Sequence, residues 1–71
     1  MSEDERFAKR LIRARKRAGF TTPEDAADGM GRALRSRDIR RWESADTYPR
    51  LDRLAMLCKR YGVSADSLLG L

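Results

Sequence analysis

Histidine is absent from the 71-residue chain, and cysteine occurs once, as Cys58. The first absence removes the commonest general base and metal ligand. The second leaves neither an internal disulfide nor a cysteine-based zinc site. We therefore expect no enzymatic activity, metal, cofactor or small-molecule ligand. No apolar run approaches the roughly 18 residues of a membrane span, and the acidic opening Ser2-Glu3-Asp4-Glu5 is unlike a secretory signal. A cytoplasmic protein without membrane contact is the expectation. Aromatics are few: Phe7, Phe20, Trp42, Tyr48 and Tyr61. Single-stranded nucleic acid wants several exposed stacking platforms, so this scarcity argues against it as the main partner. Strand signals, repeats and low-complexity tracts are missing as well.

Positive charge is abundant. The chain carries 16 Lys+Arg against 11 Asp+Glu, a formal net charge of +5, and a pI near 10.1. Such a surface gathers polyanions, nucleic acid first among them. Thirteen of the 16 cations are arginine, whose planar fork suits bidentate contact with phosphate or guanine. The length fits one domain, residues 1–71, in which a single core supplies only about 3 to 5 kcal/mol.

From Ser2 to Ala18 the apolar residues Phe7, Leu11, Ala14 and Ala18 recur at helical spacing, widened by Ala8 and Ile12. Glu3, Asp4 and Glu5 at one end and Arg15, Lys16 and Arg17 at the other complement a helix dipole, and Gly19 supplies a stop. The seven cations from Arg6 to Arg17 fit either a phosphate-facing surface or a solvated helix face. Thr22-Pro23-Glu24-Asp25 is a helix start: hydroxyl cap, proline in the first turn, then acids. This second helix turns Ala26, Ala27 and Met30 inward, and Gly29 and Gly31 weaken its end.

A third helix begins between Leu34 and Ser36 and ends near Ser44. It places Leu34, Ile39 and Trp42 on one face and Ser36, Arg37, Arg40 and Arg41 on the other. Arginines outside and an apolar underside are the layout of a helix that reads the major groove, or of an ordinary helix with a solvated basic face. Asp46, Thr47 and Pro49 then predict a loop. A fourth helix runs from Pro49 through Leu51, Leu54, Ala55, Leu57, Cys58 and Tyr61 to Gly62. A short fifth helix, capped by Ser64, includes Leu68 and Leu69. Cys58 lies on the apolar face and reads as a small hydrophobe.

In this order the residues resemble the Cro and phage-repressor type of helix-turn-helix family. The resemblance rests on Ile39-Arg40-Arg41-Trp42-Glu43, Pro49-Arg50-Leu51, Leu54, Leu57, Tyr61-Gly62-Val63-Ser64 and Leu68-Leu69-Gly70. It covers nearly the whole chain and is looser in the first half. It implies an all-α, lambda-repressor-like bundle of about five helices. It implies base contacts from Ser36, Arg37 and Arg41, with Arg40 beside them reaching a base or a phosphate. Asp38, among them, could accept from a cytosine amine or hold the neighbouring arginines in place. It implies phosphate contacts from Thr21, Thr22, Ser44, Thr47, Tyr48 and Arg50, with Arg35 added to them at the start of the third helix; for the hydroxyls, capping or loop hydrogen bonding is an equal alternative. It also implies an ion pair of Arg15 with Glu43, and Trp42 in a scaffold role.

The departure from the family pattern is the stretch from Ala27 to Ile39, about two residues longer than usual. It puts Arg35 where a small cap residue is common, so that either Ser36 caps a later helix or Arg35 stands uncapped beside DNA. The function implied is a sequence-specific regulator of transcription, a small phage-like or mobile-element repressor. It would bind duplex DNA as a homodimer on two half-sites; Leu68, Leu69 and Leu71 are candidates for the contact between copies, although packing on the chain's own core is the simpler assignment for Leu68 and Leu69. An antitoxin or other protein-binding module of the same fold is the alternative.

Overall fold

A computed structural model describes residues 2–71. Among them are five helices and no strand: α1 Glu3–Arg17, α2 Pro23–Ala27, α3 Ser36–Glu43, α4 Leu51–Tyr61 and α5 Ala65–Leu69. None is long and apolar enough to cross a membrane.

Local signals account for most of the helix ends. Ser2 caps α1 by accepting from the Glu5 N–H, and Ser64 caps α5 by accepting from the Ser67 N–H. Thr22 and Asp25 form a reciprocal capping box at α2: the Asp25 N–H donates to Thr22 Oγ1 (3.1 Å) and the Thr22 N–H to Asp25 Oδ2 (3.3 Å). Gly62 ends α4 in the left-handed region, at φ 68°, which glycine enters without a Cβ penalty.

The core joins Phe7, Leu11 and Ala14 of α1, Ala26 of α2, Ile39 and Trp42 of α3, Leu54, Leu57 and Tyr61 of α4, and Leu68 of α5. Leu34 is also fully buried, but it is not on α3 as its spacing predicts. Arg35 is extended (φ −103°, ψ 140°), so the helix starts after it and Leu34 plugs the core from the preceding connection. That connection, residues 28–35, contains Gly29 and Gly31 at positive φ. It is longer than the three or four residues typical of a helix-turn-helix.

Three other sequence expectations are corrected. Ala18 is exposed because α1 has already ended at Arg17. Leu51 and Ala55 are exposed because the buried stripe of α4 is the narrower one through Leu54, Leu57 and Tyr61. Leu69 is exposed beside Leu71 instead of packing on the core, whereas Leu68 is buried there, its simpler assignment.

Several arginines stitch the bundle. Arg60, on α4, donates from Nε to the Ala26 carbonyl (2.9 Å) and from Nη2 to the Asp28 carbonyl (3.0 Å). It thereby caps the end of α2, with its guanidinium 4.6 Å from the centre of the Phe20 ring. Arg10 donates to the Leu68 carbonyl at the end of α5 (2.7 Å) and pairs with Glu3. Its guanidinium lies where a side chain at position 70 would stand, so Gly70 is the residue that permits the approach. Part of the arginine bias thus serves helix ends, not a partner.

Candidate nucleic-acid interface

The interface is built on α3. Ile39 and Trp42, three apart, are buried beneath it, while Arg37, Arg40 and Arg41 are exposed and Ser36 and Asp38 half-buried. Arg37 and Arg41, four apart, are neighbours on one surface of the helix. Arg35 is exposed at the N-terminal boundary, in the N-cap position, and makes no side-chain capping bond.

A buried ion pair seats this helix. Arg15 donates from Nε to Glu43 Oε2 (2.8 Å) and from Nη2 to Glu43 Oε1 (3.3 Å). Its Nη1 donates to the carbonyls of Phe20 (2.9 Å) and Thr21 (2.6 Å). Both side chains are shielded, at 6 % and 9 % exposure. Burial of two charges is costly, but here bidentate geometry and two carbonyl acceptors satisfy the guanidinium. The pair fixes the end of α3 to α1 and to the turn before α2.

Outside the core the arginines differ in their engagement. Arg32, Arg35 and Arg37 form no ion pair among the described residues. Arg41 Nε donates to Asp46 Oδ2 at 3.3 Å. Arg40 makes a tight side-on fork with Glu24 of α2, with Nε to Oε2 at 2.9 Å and Nη2 to Oε1 at 2.6 Å and to Oε2 at 2.7 Å. The Arg40 hydrogen bond holds the Glu24 carboxyl below its usual range, and the same bond raises Arg40. The Asp38 carboxylate, expected to hold neighbouring arginines, makes no hydrogen bond or ion pair with their side chains among the described residues; Glu24 and Asp46 take that place.

The expected phosphate contacts are dispersed along the chain. Thr21 and Thr22 are exposed at the start of α2, but the Thr22 hydroxyl and N–H are both occupied by the capping box. Ser44 is exposed and its hydroxyl donates to the Arg41 carbonyl (3.0 Å), while Thr47 is half-buried. Tyr48 stacks obliquely on Phe7, ring centres 5.2 Å apart, and its hydroxyl donates to Asp4 at the start of α1. That hydrogen bond raises the Tyr48 pKa. Arg50 is exposed, with Nη2 at 3.3 Å from Asp52.

The structure therefore brings Arg35, Ser36, Arg37, Arg40 and Arg41 together on one short segment and leaves the remaining polar groups on the flanking loops. Sequence reading missed Glu24 and Asp46. Glu24 is 16 residues from Arg40, beyond the reach of helical spacing, and its helix-start position explains an acid there without any partner. Comparison with protein-family models, with curated proteins and with solved structures yields no match to this chain.

Proposed function

We propose that this domain is a sequence-specific reader of duplex DNA that regulates transcription, inserting α3 into the major groove. The observation that carries the reading is the division of α3. Ile39 and Trp42 are locked into the core beneath it, and Arg37, Arg40 and Arg41 stand outward with Arg35 at its start. A rigid helix with guanidiniums on its free side meets the requirement of groove recognition: scaffold-fixed donors that fork onto guanine O6 and N7. The net charge of +5 adds sequence-independent attraction to phosphates.

An α3 of eight residues is about 12 Å long and spans only a few base pairs. Two copies on one side of the duplex, their half-sites a helical turn apart, supply useful specificity. Exposed Leu51, Leu69 and Leu71 offer apolar surface for contact between copies. The same reading puts the protein in a reducing compartment that holds the DNA, proposed here as the cytoplasm, where the lone thiol of Cys58 stays reduced.

The test is selection of bound duplexes from a random pool, followed by titration of the winners and of scrambled sequences at two salt concentrations. The expected result is a preference of about 10³-fold or more for one duplex family and a steep loss of affinity with salt. Equal affinity for every sequence at matched salt would overturn the reading.

A further inference from the structure

We propose that Glu24 is a positioning residue that presents Arg40 to a guanine base edge; the inference rests on the duplex-reading function proposed above. A guanidinium carries five N–H groups in one plane. Glu24 occupies the side of that plane formed by Nε and Nη2, at 2.6 to 2.9 Å. At the end of the fork, Nη1 has no partner among the described residues, and Nη2 is engaged by Glu24 alone. The edge left by Glu24, formed by Nη1 and Nη2, is the one whose donors meet O6 and N7 of guanine.

Charge decides between guanine and phosphate. The carboxylate cancels the pull of Arg40 as a point charge and would itself be repelled by a phosphate, but it leaves the fork's directional donors intact. The guanine edge is uncharged and offers two acceptors, whereas adenine would set an N6 donor against the fork. Both side chains are more than half exposed, at 58 % and 53 %, and exposed pairs contribute little to folding. Orientation is the contribution that remains. An arginine already held by a carboxylate also loses less rotamer freedom on docking.

The test uses the full chain with the duplex selected by the wild type and a set in which each G·C pair is replaced in turn by A·T. Wild type, Glu24→Ala, Glu24→Gln and Arg40→Ala are compared, and thermal melts verify that all four are folded. The wild type is expected to prefer G·C over A·T at one position by about tenfold or more. Glu24→Ala and Arg40→Ala lose that preference at the same position, and Glu24→Gln, which keeps one acceptor oxygen, retains part of it. An unchanged preference at every position in Glu24→Ala overturns the proposal, even if that variant binds all duplexes more tightly, which is the behaviour of a mere mask. A wild type that selects no duplex removes the underlying DNA-reading function as well, so the two failures are distinct.

Discussion

Tyr61 carries a buried hydroxyl with no hydrogen-bond partner, the only such side-chain atom among the described residues. An orphaned polar group of this kind costs about 1 to 3 kcal/mol in lost solvation. Tyr61→Phe is therefore expected to leave stability at neutral pH equal or raised by about 1 kcal/mol, as measured by urea unfolding. Burial, reinforced by the charge of Glu43, pushes this phenol up to about 12 from an ordinary value of 10.0. Between those two values the folded chain keeps a proton that the unfolded chain gives up, so stability falls as pH rises. The advantage of Tyr61→Phe should widen by about 1 kcal/mol between pH 9 and pH 11. A constant difference over that window would show the phenol to be better solvated than its burial implies. Arg37 and Arg41 differ from Arg50 in place, the first two on α3 and the third in the loop before α4. Their alanine variants should cost about 1 to 3 kcal/mol of binding and relax preference at particular base pairs, whereas Arg50→Ala should weaken all duplexes alike. Competition titrations with single-base-pair variants separate the two patterns.

Among the helices, α3 has the weakest local signals at its ends. Its N-cap is Arg35, which makes no capping bond, and just beyond its C-cap Ala45 takes φ 63°, whereas α1 has Gly19 at positive φ in the same place and α4 and α5 have left-handed glycine as the C-cap itself. An alanine there bears a Cβ clash worth about 1 kcal/mol. What holds α3 as a helix is Ile39 and Trp42 below it and the Glu43 tie to Arg15. Poor caps in the element proposed to meet DNA are where a stability cost is tolerated for a contact. Arg35→Ser should raise folding stability by about 1 kcal/mol by supplying the missing cap, and should at the same time lower affinity for every duplex. Ala45→Gly should raise stability by a similar amount with binding unchanged. Melting curves paired with DNA titrations check both, and a stabilised Arg35→Ser of full affinity would remove Arg35 from the interface.

The whole bundle measures 32 × 23 × 22 Å, and its few core side chains give it little stability to spare. Arg15 reaches α3 through Glu43 and the turn before α2 through two carbonyls, so one side chain joins three parts of the chain. Removing one partner of a buried pair costs about 3 to 5 kcal/mol, comparable to the total for a domain of this length. Arg15→Ala should be largely unfolded at 25 °C by circular dichroism, and Trp42→Ala should behave likewise, because deleting a buried tryptophan costs about 3 to 5 kcal/mol. The double variant Arg15→Met, Glu43→Leu should recover part of the helix content, since no charge is then left unpaired. A cooperatively folded Arg15→Ala of near-native stability would assign the seating of α3 to apolar packing alone.

The helical class, the starts of α1, α2 and α5 and the stop at Gly62 were legible in the chain itself. Caps, dipole charges and apolar spacing all act within about four residues, and that is the range over which backbone preference operates. The outward row Arg37, Arg40, Arg41 followed from the same periodicity once Ile39 and Trp42 were taken as buried. The pairing of Arg15 with Glu43 came from family resemblance, because 28 residues separate the two. The loop origin of Leu34, the Glu24 fork on Arg40 and the reach of Arg10 and Arg60 to distant carbonyls had no local signature. A guanidinium chooses among carboxylate, carbonyl and water according to what packing brings within hydrogen-bond distance, and only the folded chain sets those distances.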